Sequence, residues 1–137
     1  MYYDFFEHLG FKVVDQAAPY FQLAVYKFND CAEDPSFKLQ VKNLSNNSGI
    51  EIYFTTQCPF AVGVIDDLKN IAVNMGIPFH AYQLMTKDKS QNAPIIWTTF
   101  GLLYNGQFIT HEIMNAKKFE KLLNKLLVGD LSTSHKF

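Results

Sequence analysis

The sequence predicts an α/β fold in which a βαβ unit is followed by a ββα unit, preceded by a helix and a β-hairpin. Three observations predict it. Apolar strand patterns at 50–55 and 79–85 flank a helical pattern at 59–75, and a helical crossover makes those two strands parallel. The pair Asn105-Gly106 separates the apolar runs 100–104 and 107–114, the signature of a two-residue hairpin. An amphipathic helix then follows Asn115, with Phe119, Leu122, Leu123, Leu126 and Leu127 on one face.

Composition narrows the class. A chain of 137 residues, about half of them hydrophobic and 13 of them Phe, can bury one core without disulfide staples. The formal net charge of −1 gives no electrostatic case for binding nucleic acid or an anionic membrane surface. No apolar run is long enough to span a bilayer, and the N-terminus lacks the pattern of a signal peptide. Two widely spaced cysteines, Cys31 and Cys58, make no disulfide framework, which points to a reducing cytoplasm.

Taken in order, residues 1–30 read as a short helix closed by Gly10, then strands at 11–14 and 20–28. The second strand is apolar on both sides, with Phe21, Leu23 and Val25 on one and Tyr20, Ala24, Tyr26 and Phe28 on the other. A strand patterned for two covered faces wants a partner, either the following domain or a second chain, so residues 20–28 are the expected surface for homodimer or intramolecular pairing. Residues 31–49 form a linker with a short helix starting at Asp34-Pro35 and placing Phe37, Val41 and Leu44 on one face, although the same residues suit a strand. The principal domain spans 50–128. Its first helix buries Val64, Ile65, Leu68, Ile71, Ala72 and Met75 and ends at Gly76; residues 86–92 read as a polar loop; Gly129 closes the last helix, and 129–137 is a tail.

Chemistry centres on the run 50–60, I-E-I-Y-F-T-T-Q-C-P-F. A strand leads into Cys58, then Pro59 opens a helix. Free N–H groups and the positive end of the helix dipole at that position favour thiolate over thiol. Cys58 is therefore the candidate catalytic thiol, weighed against a small apolar residue packed under a helix start. Thr55, Thr56 and Gln57, with Pro59 and Phe60, surround it in sequence and either orient a ligand or are ordinary loop residues. Trp97 is a candidate pocket wall or a core residue. His80 and His111 lack a cysteine or carboxylate at ligand spacing, so no metal site is expected. The lysines at 117, 118, 121 and 125 read as the solvated face of the last helix.

The segment from Ile50 to Leu127 resembles a thioredoxin-like domain in three features. T-T-Q-C-P-F stands where that fold keeps its redox motif, N-A-P at 92–94 stands where it keeps a cis-proline, and L-L-Y-N-G-Q-F-I resembles its terminal hairpin. More narrowly, T-T-Q-C-P-F, Q-N-A-P-I-I-W-T-T-F-G-L-L-Y-N-G-Q-F-I-T-H-E-I and K-K-F-E-K-L-L resemble the YoaP-like domain, found at the C-terminus of some bacterial acetyltransferases of the GNAT superfamily. F-F-E-H-L-G-F-K-V-V-D with P-Y-F-Q-L-A-V-Y-K-F resembles the last helix and strand of a GNAT fold. The resemblance implies a cis bond before Pro94, holding the Ala93 backbone beside Cys58 in a groove for a small thiol, a peptide or a substrate.

The departures matter as much. The glycine-rich pyrophosphate loop of GNAT enzymes is not in this sequence, and Phe6 stands where many of them carry a tyrosine acid. No acetyltransferase activity is expected of this polypeptide alone, and acetyl-CoA enters only with a complete GNAT domain upstream. The chain then reads as a fragment, an alternative start or a shortened descendant of such an enzyme. Ala61 occupies the position of a resolving cysteine, which leaves only a monothiol route with a low-molecular-weight thiol. Three readings stay open: an accessory domain of an acetyltransferase, a stand-alone monothiol oxidoreductase, and a structural or dimerisation module.

Overall fold

The computed structural model describes residues 3–42 and 46–133, apart from the side chains of Tyr3 and of 130–133. It is a mixed α/β structure dividing into two compact units, Met1–Leu44 and Ser45–Phe137.

The first unit holds α1 (Tyr3–His8), β1 (Lys12–Ala17), β2 (Phe21–Val25) and α2 (Leu39–Lys42). Gly10 ends α1 at φ +90°, the conformation that only glycine adopts without strain. β1 and β2 pair antiparallel, with an irregularity between Val13 and Asp15. Asp15 fastens the connection that follows: it accepts the Phe37 N–H at 2.7 Å and the Lys42 ammonium at 2.6 Å. The Lys42 bond first, and then the Phe37 N–H, hold its carboxyl below the usual carboxylate range. The second strand is shorter than the apolar pattern 20–28, because the pairing with β1 runs only from Phe21 to Val25. The linker helix is likewise shorter than expected, and Leu44 lies outside the described residues.

The second unit carries a four-stranded sheet of order β4-β3-β5-β6, made by β3 (Ile50–Phe54), β4 (Phe79–Gln83), β5 (Phe100–Tyr104) and β6 (Gln107–Thr110). β3 is parallel to β4, as the helical crossover α3 (Pro59–Asn74) requires, and antiparallel to β5. Asn105 at φ 50° and Gly106 at φ 79° make the tight turn from β5 to β6. α3 stops in a Schellman closure: the Ile77 N–H donates to Ala72 O at 2.9 Å and the Gly76 N–H to Val73 O at 3.0 Å.

Strand alternation sends Ile50, Ile52 and Phe54 to one face of the sheet, where Leu68 and Ala72 of α3 join Phe119 and Leu123 of α5 (Ala116–Thr133) in the main core. The expected inward residues of both helices pack against this cluster. Asn115 Oδ1 caps α5 by accepting the Lys118 N–H at 2.9 Å. Two expectations are corrected here. α5 continues through Gly129 to Thr133, since helix propagation tolerates a glycine at a cost of only about 1 kcal/mol; the rest of the expected tail, 134–137, lies outside the described residues. Residues 86–92 are not a loop: Thr86 Oγ1 accepts the Lys89 N–H at 3.2 Å and starts the short helix α4 (Lys87–Asn92).

The opposite face of the sheet has a smaller apolar cluster of Leu84, Ala93, Ile95 and Leu103. The segment after α4 lies close on β5 there: a Cβ on Gly101 would stand 2.9 Å from the Ile95 side chain.

Candidate functional site

Cys58 is the N-cap of α3, with extended backbone at φ −113° and ψ 113°, and Pro59 begins the helix behind it. The proline at the first helical position needs no hydrogen-bond acceptor for its nitrogen, which explains the C-P order. The Cys58 side chain makes no capping hydrogen bond, is half-buried, and packs in part against the main core. Thr56, Gln57, Pro59 and Phe60 are exposed around it, with Phe60 at 75 %. The candidate residues of this turn therefore do share one surface, formed by the crossing from β3 to α3.

Thr55 behaves differently. It is buried, and its N–H donates to Thr99 O at 3.2 Å, so it extends the β3–β5 pairing rather than facing a ligand. The segment that reaches the cysteine turn is Thr99: its Oγ1 stands 3.4 Å from Gln57 Oε1. The preceding peptide group is held twice, because Phe54 O accepts the Leu84 N–H at 2.8 Å while the Thr55 N–H binds Thr99 O.

Ala93 and Pro94 belong elsewhere. The cis peptide bond among the described residues is Ala18–Pro19, and the expected cis bond before Pro94 is not found. Ala93 is the C-cap of α4 at φ −64° and ψ 144°, the extended geometry that a following trans proline favours. Five residues, 95–99, then separate Pro94 from β5. Pro94 lines a cavity of about 520 Å³ with Tyr53, Tyr82, Gln83, Lys89 and Asn92, and none of residues 56–60 lines it. The sequence expectation of one groove shared by Cys58 and Pro94 is thus corrected: the proline sits under the C-terminal end of α4. Trp97 is 54 % exposed and lies against His111, with ring centroids 5.5 Å apart, rather than in the core.

Behind the cavity wall lies a buried carboxylate. Glu51, the second residue of β3, is fully buried, and its Oε2 accepts from Asn47 Nδ2 at 3.0 Å and from the Tyr53 hydroxyl at 3.1 Å. Its Oε1 is buried without a hydrogen-bond partner, as is Thr55 Oγ1. Burial first, and then the Glu51 charge, push the Tyr53 phenol well above its usual range. Parallel register places Tyr53 opposite Tyr82, and their rings stack at 4.8 Å. Sequence reading passed over Glu51, Tyr53, Tyr82, Lys89 and Thr99. The signal for the tyrosine pair was present: each stands three residues into its strand, and in-register parallel pairing makes them neighbours.

The chain matches the family described as YoaP-like over residues 78–121. It is also 54 % identical over 123 residues to a protein of Bacillus subtilis (strain 168) described as "Uncharacterized N-acetyltransferase YoaP", the match covering 89 % of this chain and 49 % of that one. The chain spans about half the length of that relative. No solved structure matches it significantly.

Proposed function

We propose that the chain acts as a thioredoxin-like accessory part of a GNAT-type N-acetyltransferase, with the turn carrying Cys58 as the place where a small thiol or a thiol-bearing peptide docks. The sheet order β4-β3-β5-β6, with β5 antiparallel to β3 and the cysteine at the head of α3, supports the thioredoxin-like assignment. Its likeness to about half of a protein named as an N-acetyltransferase supports the association. The observation that carries the ligand reading is the Cys58 sulfur itself: it caps no N–H and stands half-exposed between Gln57 and Phe60. Thr99, rather than Pro94, is the neighbour that borders this turn.

The test is chemical. With oxidised glutathione, the Cys58 thiolate attacks one sulfur, the S–S bond breaks, and one glutathione thiolate leaves as the mixed disulfide forms. Mass spectrometry of the digested protein is expected to find the adduct on Cys58 ahead of Cys31. Modification of Cys31 alone overturns the reading. For the acetyltransferase association, acetyl-CoA titrated into this chain by calorimetry is expected to give no saturable binding, and tight binding would refute an accessory role.

The first unit favours a second, compatible reading as an interaction module. Phe5, Phe6, Phe11, Tyr26 and Phe28 form a run of ring contacts with centroids 5.4 to 5.7 Å apart, and Phe28 is 95 % exposed. Such an aromatic surface is costly to leave in water and suits pairing between copies through 20–28. Sedimentation equilibrium of the full chain and of a Phe28→Ser variant tests it: a dimer weakened by the substitution is expected, and a monomer in both cases removes the reading.

A further inference from the structure

We infer that the cavity between β4 and α4 is a binding site for a small aromatic carboxylate, separate from the cysteine turn. Tyr53 and Tyr82 form an aromatic wall, stacked at an interplanar angle of 23°. The Tyr53 hydroxyl is committed to Glu51, so the cavity meets its ring and not its donor. A flat ring packs on such a wall with an offset or edge-on geometry. Beneath it, Leu84 and Ala93 of the second apolar cluster supply a dry floor.

The polar groups of the lining are few, and their bonding capacity is open. Lys89 is the charged residue among those lining the cavity, and its ammonium makes no ion pair among the described residues. Asn92 donates its Nδ2 to Asp88 O at 2.9 Å, which leaves its Oδ1 available and fixes the amide. The Gln83 amide and the Tyr82 hydroxyl have no hydrogen-bond partner among the described residues. The Glu51 carboxylate does not line the cavity; its Oε2 is held by Asn47 and Tyr53 behind the wall. An apolar, aromatic concavity of about 520 Å³ with one unpaired cation and a few fixed amides is the composition of a small-ligand pocket. The sign of its charge selects an anion, and a carboxylate matches an ammonium at hydrogen-bond range.

The experiment uses the full chain, labelled with ¹⁵N, and titrates it with sodium benzoate, with benzamide as the uncharged isostere and acetate as the ringless anion. Saturable amide shifts are expected at Tyr82, Gln83, Lys89 and Asn92 with benzoate, with benzamide about 1.5- to 5-fold weaker, the range of one exposed ion pair. Acetate is expected to give no saturable shift there. Lys89→Ala should erase the preference for benzoate while Lys89→Arg keeps it, and Tyr82→Ala should weaken both ring compounds. Both positions are exposed, so folding survives and the unperturbed spectrum verifies it. Equal affinity for benzoate and benzamide, shifts confined to residues away from β4 and α4, or no saturation by about 50 mM ligand, well beyond the millimolar range of weak fragments, each overturns the inference. Shifts along β4 that depend on protein concentration alone would assign the surface to a second copy and overturn it too.

Discussion

The Tyr53 hydroxyl donates to Glu51 Oε2 at 3.1 Å, joining two side chains that leave the same face of one strand two residues apart. Glu51 is fully buried, so this bond is part of what makes its burial tolerable. Tyr53→Phe deletes the donor and leaves Oε2 with Asn47 alone. The expected loss is about 1–3 kcal/mol in urea denaturation, the usual effect of stranding a buried polar partner. A variant as stable as the parent would show the contact to be incidental.

The same pair fixes a pH dependence. Burial, then Glu51, raise the Tyr53 phenol from its ordinary value of 10.0, so the folded chain keeps a proton that the unfolded chain gives up. Stability linked to Tyr53 is therefore complete below that value and declines as pH rises beyond it. The urea midpoint should fall more steeply above pH 10.0 in the parent than in Tyr53→Phe. Parallel curves for the two would contradict the assignment.

Asp15 gives the opposite dependence in the first unit. Its pKa is lowered chiefly by the Lys42 hydrogen bond and then by the Phe37 N–H, so its contribution is present above the ordinary value of 3.8 and disappears as pH falls through the lowered folded value. Lys42 is exposed while the Asp15 side chain is only 14 % accessible, and the local readout is the better one. The protection factor of the Phe37 amide, its exchange rate corrected for the intrinsic pH dependence, is expected to fall in Asp15→Asn at neutral pH, and in the parent only on acidification. Unchanged exchange in the variant would refute the clamp.

Gly101 and Ile95 predict a non-additive pair. A methyl added at Gly101 would meet Ile95 Cγ2 at 2.9 Å and Ile95 Cβ at 3.2 Å. Gly101→Ala should cost about 1–3 kcal/mol through overpacking. In the background of Ile95→Ala the same change should cost much less, and a double-mutant cycle with no coupling would exclude the contact.

Gly49 should be harder still to replace. Its φ is +84°, and a Cβ there would collide with the Pro78 carbonyl oxygen and lie 2.8 Å from Pro78 Cβ. It is also tied to the hairpin, its N–H donating to Asn105 Oδ1 at 2.7 Å while its carbonyl accepts the Asn105 N–H at 2.9 Å. Gly49→Ala is expected to cost more than about 2 kcal/mol by thermal denaturation, since strain and clash add. A loss below that would mean the backbone relaxes easily.

The regular elements of the second unit were legible because local pattern and tertiary demand agree there. Residues from Val64 to Met75 repeat at helical spacing, Gly76 offers the left-handed stop, and Asn105-Gly106 can hardly be anything but a hairpin turn. The parallel pairing of β3 and β4 followed from the crossover alone. What was not legible depended on contacts distant in sequence. α4 is polar throughout and shows no apolar face; only the Thr86 cap announces it. Pro94 invited a family-based cis expectation, whereas its conformation is set by the helix that ends at Ala93. Glu51 inside an apolar run read as an ordinary strand residue, because nothing local marks which face its neighbours will cover. At the cysteine turn the order of residues was readable, but the approach of Thr99 depends on how β5 pairs with β3.

The peptide plane between Phe54 and Thr55 offers its oxygen to Leu84 and its hydrogen to Thr99, the two ends of one sixteen-residue excursion, roughly the upper length of ordinary connections. That plane is also the last rigid step before Cys58. The plane therefore stands next to both surfaces, and the exchange rate of the single Thr55 amide is a readout for an event on either side. One backbone unit gives this small domain a common gauge for two surfaces that share no lining residue.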